Sequence, residues 1–171
     1  INFCNDSNED ISDFKSSIEF FSEIILDVYF YNWEHSSLNK EIIYEDYAKA
    51  LSKLFVSDLF TLSNKLSSSD IGGVEFVFKD FQKDFLSIAK TTLYKSVKSN
   101  LYGERVQELP TVKEVLVDEI RNIEFKYKDK SFDNSFSIKL SISYEKDLGY
   151  QNECEIILIK NDNILEVSKL G

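Results

Sequence analysis

Residues 136–144, FSIKLSISY, alternate without a fault. Phe136, Ile138, Leu140, Ile142 and Tyr144 fall on one parity, and Ser137, Lys139, Ser141 and Ser143 on the other. Side chains of a strand point to opposite faces in turn, so this pattern predicts a strand with one apolar and one wetted face. CEIILI, 154–159, is apolar on both parities, as for a strand with neighbours on both sides. KNDN, 160–163, reads as a tight turn, and ILEVSKL, 164–170, completes a hairpin. After Pro110, Val115 and Val117 alternate, and Ile123, Phe125 and Tyr127 alternate again. Glu119 and Ile120 break the phase between them, which predicts a bulge or bend inside one long strand. KDKSFDN and EKDLGYQNE turn the chain between strands.

Ahead of Pro110 the apolar period is helical. A first helix is predicted over 10–31, with Ile11, Phe14, Ile18, Phe21, Ile25 and Val28 at steps of three and four. Ser7 with Asp10, or Asp10 itself, can cap its start. Phe20, Ile24 and Tyr31 form a second seam, leaving the helix apolar over about half its circumference. Such a helix needs two contacts: a sheet and another helix, or a sheet and a partner. YNWEHSSLN, 31–39, is a connector. A second helix is predicted over 40–55, through Ile43, Tyr47, Leu51, Leu54 and Phe55. Ser57-Asp58 reads as a fresh cap for a short continuation, 58–66, carrying Leu59, Leu62 and Leu66. SSSDIGG breaks the pattern, VEFVF (74–78) reads as a short strand, and a third helix is predicted over 79–97. That helix has Phe81, Phe85, Ile88, Ala89 and Thr92 on one side and solvated lysines elsewhere. SNLYGERVQELP, 99–110, is an irregular connection.

Helices before strands predict an α+β fold, with N-terminal helices packed on a curved, mainly antiparallel C-terminal sheet. The expected organisation is a tail over 1–9 and one domain over 10–171, helical to residue 98 and sheet from 112. Burying a side chain such as Phe136 or Ile138 contributes roughly 1.5–3 kcal/mol, so the apolar sheet face demands a cover. The helices carry the only apolar surfaces broad enough to supply it.

The paired N-terminal helices, the segment KDFQKDFLSIAKTTLYKS and the closing CEIILIKNDNILEVSKL hairpin resemble the nuclear transport factor 2-like superfamily, also called SnoaL-like or cystatin-like. The resemblance covers residues 10–170 and rests on the order of elements and the terminal hairpin. It implies a cone-like α+β domain whose interior can hold a pocket. Enzymes of that superfamily usually place Asp, His and Tyr inside the cone.

Chemistry along the chain does not follow that pattern. His35 is the only histidine and falls in the polar connector beside Trp33 and Glu34. Asp27 and Tyr29 sit about 200° apart around a helix axis, and Asp27 with Tyr31 is a spacing common by chance. One histidine and two distant cysteines do not build a transition-metal site, and Gly72-Gly73 lacks the Lys-Ser/Thr of a phosphate loop. We therefore expect no catalytic residue, no cofactor and no metal. Cys4 and Cys154 admit two readings, one disulfide or a free buried Cys154. Lipidation of Cys4 is disfavoured because Asn2 and Phe3 are not small.

The chain has 171 residues, enough for one domain with a real core, and carries 30 acidic against 20 basic groups, net −10. Five acids and six bases over 71–110 make that stretch net +1. No basic surface is available to replace phosphate counterions, which excludes nucleic acid as a partner, and an acidic surface disfavours direct adsorption to anionic lipid. The chain starts at Ile1 and contains no Met, which reads as a processed or truncated product. Membrane attachment is expected only through a segment outside this sequence, and the expected location is extracytoplasmic, in a bacterial envelope. The aromatic cluster VYFYNW, 28–33, and the second seam of the first helix single out Phe20, Ile24, Tyr31 and Trp33 as partner-binding candidates. The expected function is a non-catalytic protein–protein interaction domain. The runner-up is a small-molecule-binding or enzymatic cone with a pocket lined by Phe136, Ile138 and Leu140. A homodimer through the polar sheet face ranks below both.

Overall fold

The computed structural model describes residues 44–171, which form one compact unit. The first predicted helix, the connector with His35, Cys4, and the candidates Phe20, Ile24, Tyr31 and Trp33 lie outside the described residues. Two helices precede four strands: α1 (Tyr44–Phe60), α2 (Lys79–Thr91), β1 (Val112–Tyr127), β2 (Lys130–Tyr144), β3 (Glu153–Asn161) and β4 (Ile164–Leu170). The strands make one sheet in sequence order, every neighbouring pair antiparallel. The α+β class is as the sequence pattern predicts.

Register explains the apolar row. Phe136 pairs with Leu158, Ile138 with Ile156, and Leu140 with Cys154, so one face of β2 and β3 is continuous hydrocarbon. On β1, Val115 opposes Ile142, Val117 opposes Leu140, and Ile120 opposes Ile138. The pairing shifts at Lys113 and again at Asp118. Each shift adds one residue to β1, so the inward positions run Val112, Val115, Val117, Ile120. The phase break seen before Ile120 is a bulge, which keeps Ile120 on the same face as Val117. A further shift falls between the pairs Ile157–Lys169 and Leu158–Val167, and Ser168 in that bulge donates its hydroxyl to the Ile157 carbonyl at 3.2 Å.

Helix α1 lies against β1, β2 and β4. Its Ala48, Leu51, Phe55, Val56, Leu59 and Phe60 are buried, a stripe at helical spacing along the whole element. Helix α2 contributes Phe81, Phe85 and Ala89, and the Phe55 and Phe85 rings meet at 5.8 Å between centroids. Ile138, Leu140, Ile156 and Leu158 are fully buried beneath this layer. The β1–β2 hairpin reaches α2 at its far end. There Tyr127 and Phe132 pack edge-on against Phe78, the Tyr127 hydroxyl donates to Asp84 Oδ2 at 2.8 Å, and Lys130 pairs with Asp80 at 2.8 Å.

Four local expectations need correction. Ser57-Asp58 does not start a new helix: α1 runs through to Phe60, because the stripe that buries Phe55 and Val56 continues to Leu59 and Phe60. VEFVF is not a strand. Gly73, at φ 73°, leads into a 3-10 turn over Val74–Phe76, and only Val77 bridges β4, beside a bond from the Phe78 N–H to the Val167 carbonyl at 2.8 Å. The third predicted helix stops at Thr91 instead of 97, since Thr92 leaves helical geometry and Tyr94 turns inward. Strand β2 starts at Lys130, not 136. The turn between β1 and β2 is only two residues, with Lys128 at φ 54°, and the extra strand length carries Phe132 to its contact with Phe78.

Candidate functional site

Past Thr91 the chain spends about twenty residues crossing to β1, and side chains tie this crossing down. Tyr94 is fully buried; its hydroxyl donates to the Leu59 carbonyl at 2.8 Å and accepts the Gly72 N–H at 3.1 Å. Burial pushes its phenol well above the usual tyrosine range. Beside it Asp58 accepts the Lys65 ammonium at 2.5 Å through one oxygen and the Gly73 N–H at 2.6 Å through the other. A Cβ on Gly72 would sit 2.4 Å from the Asp58 carbonyl oxygen and 2.7 Å from Lys65 Nζ, so this close approach requires glycine. The ionisable groups here are committed to closing loop 61–73 against α1. That is a structural role.

The next layer is loop 99–107. Arg105 donates from Nη1 to the carbonyls of Lys65, at 2.7 Å, and Lys98, at 3.3 Å, and from Nη2 to that of Ser63, at 2.7 Å. Its main-chain N–H donates to Asn100 Oδ1 at 3.0 Å, while the Asn100 N–H donates to the Leu66 carbonyl at 2.8 Å. Gly103, at φ 72°, closes the tip with a bond to the Asn100 carbonyl. Gln107 accepts the Lys98 N–H and donates to the Ser96 carbonyl, both at 2.9 Å.

This scaffold holds large apolar side chains in water. Leu101 is 65% exposed, Tyr102 88% and Val106 99%, and Leu66 stands half-exposed beside the loop's anchor. Apolar groups on a loop usually collapse or leave the loop mobile; here the backbone is bonded at both limbs and the side chains still face out. Exposed apolar side chains on a held backbone are suited to docking, because the backbone's ordering cost is met before a partner arrives. Sequence reasoning missed the patch because the stretch has no period. The available signal was Leu101, Tyr102 and Val106 standing among turn-forming residues.

Next to the loop lies an open groove of about 710 Å³ between the helix ends, the β2–β3 connection and the end of β4. Phe60, Ile88, Leu93, Leu148, Tyr150 and Leu170 give it apolar walls, and none of its lining side chains is charged. Phe136, Ile138 and Leu140, expected to line a pocket behind the sheet, are buried in the core cluster.

The far side of the sheet is polar. Ser141 donates to Asp118 at 2.7 Å, Ser137 to Glu155 at 2.6 Å, and Glu119 bridges Arg121 and Lys139. The Ser137 bond holds the Glu155 carboxyl below its usual range. Cys154 carries a free, buried thiol, and burial pushes it up to about 12, far from a reactive thiolate. Among the described residues no group of three His, Cys, Asp or Glu side chains is placed to hold a metal ion, and no helix is long and apolar enough to cross a membrane. No known protein family, curated protein or solved structure matches the chain.

Proposed function

We propose that this chain is a non-catalytic protein-interaction domain that docks a partner protein on loop 99–107. One observation carries the reading: a hydrogen-bonded scaffold built on Arg105, Asn100 and Gln107 keeps Leu101, Tyr102 and Val106 exposed. Their apolar area contributes nothing to the core, so its favourable burial is left for a complex. The non-catalytic reading draws support from Asp58, Lys65 and Tyr94, which are bonded to one another's loops and to backbone. The seam of Phe20, Ile24 and Tyr31, with Trp33, stays in this proposal as a second anchor on sequence pattern alone.

The test is affinity capture from native cells, comparing the full chain with its Leu101→Ser, Tyr102→Ser, Val106→Ser variant. The variant should lose a protein that the parent retains while its stability stays within about 0.5 kcal/mol, as for ordinary surface changes. Identical captured proteins, or a large fall in stability, would overturn the reading.

A further inference from the structure

We infer that the occupant of this surface is a second copy of the chain, each copy's loop 99–107 seated in the other's groove. The inference rests on the docking role proposed for the loop and names its partner. The protrusion and the recess adjoin: Gln107, one residue past Val106, donates to the carbonyl of Ser96, a groove residue, at 2.9 Å. A face that carries a knob and a hole side by side is self-complementary about a two-fold axis placed between them, and the contact then occurs twice.

Charge selects the same face. Residues 44–171 hold 21 acids and 18 bases, net −3, and two copies of this unit repel least where they meet away from that excess. The groove's lining side chains are uncharged, and the segment 71–110, which supplies the loop and one groove wall, is net +1. The rim carries both signs. Glu104 is exposed on the loop between Tyr102 and Val106, and Lys95 is exposed beside Ser96 at the groove. Across a two-fold axis, Glu104 of one copy approaches Lys95 of the other, the arrangement a self-complementary rim requires. On the outer sheet face the charges are already engaged within one copy, Glu119 with Arg121 and Lys139, Asp118 with Ser141 and Glu155 with Ser137.

Sedimentation of the full chain across the micromolar range tests this. Three proteins are compared: the parent, the Leu101→Ser, Tyr102→Ser, Val106→Ser loop variant, and an Ile88→Asp variant that places a charge in the groove at a side chain already 42% exposed. The parent should dimerise with rising concentration, and each variant should associate at least about tenfold more weakly with its circular dichroism unchanged. A parent that stays monomeric, yet loses a captured protein when the loop is changed, overturns the second copy as occupant and leaves the docking loop standing. A parental dimer that survives the loop variant overturns the inference, and the same variant's unaltered capture would overturn the docking role as well. A dimer broken by the loop variant but not by Ile88→Asp overturns the groove as the receiving site.

Discussion

Arg105 closes loop 99–107 with one planar cation. Its donors diverge in a fixed fork, which lets a single side chain hold the carbonyls of Ser63 and Lys65 while also reaching Lys98. A lysine offers a compact point charge and cannot span the same acceptors. Arg105→Ala should therefore cost about 2 kcal/mol, the scale of charged-donor hydrogen bonds at a half-buried site. Arg105→Lys should recover less than half of that in urea denaturation. Equal stability of the alanine variant and the parent would show that the guanidinium does not hold the loop. This residue was invisible as a site in the sequence because its acceptors lie 40 and 42 positions away. Tyr94 was not singled out for a related reason. It looks like one more helical aromatic after Phe81 and Phe85, yet its hydroxyl is claimed by Leu59 and Gly72, which no local pattern reports.

Strands were the most legible elements, because a period of two is visible wherever one face is wet. FSIKLSISY falls where it was expected inside β2, and ILEVSKL is β4 to the residue. The bulge at Asp118 was legible as a phase error, since Val117 and Ile120 could share a face only if one residue were skipped. Inserting one further residue after Asp118 should shift Ile120 and the residues beyond it to the wrong face. The expected cost is about 3 kcal/mol or more, read from the denaturation midpoint, whereas deleting Asp118 should cost about 1 kcal/mol or less because Val117, Glu119 and Ile120 then alternate with no bulge and keep their partners. An insertion variant with the parental midpoint would mean that the phase of β1 does not set the register. VEFVF failed for the converse reason: five residues rich in hydrocarbon carry no period, and Gly73 at positive φ had already committed the chain to a turn. The end of α2 failed because Leu93, Tyr94 and Val97 extend a plausible apolar face past the point where Thr92 leaves the helix.

At the scale of the described unit, helices come first and strands second, and the two layers share one core through Phe55, Phe85, Ile138 and Ile156. That much follows from periodicity and order, since among the described residues only the helices offer apolar surfaces broad enough to cover the sheet. The proposed docking surface does not follow, because it is built by the crossing between the layers, where burial and bonding are set by tertiary partners. Stability is not uniform across such a molecule, and exposed loops normally sit at its low end. The account requires loop 99–107 to be an exception. Amide hydrogen exchange resolved by residue measures this directly on the full chain. The account predicts that Lys98, Asn100, Gly103 and Arg105, whose N–H groups are bonded, exchange far more slowly than in an unfolded peptide, with neighbouring Tyr102 and Val106 side chains still open to solvent. Exchange of those four amides at unfolded-peptide rates would contradict it, because a loop that is not held cannot be a preformed docking surface.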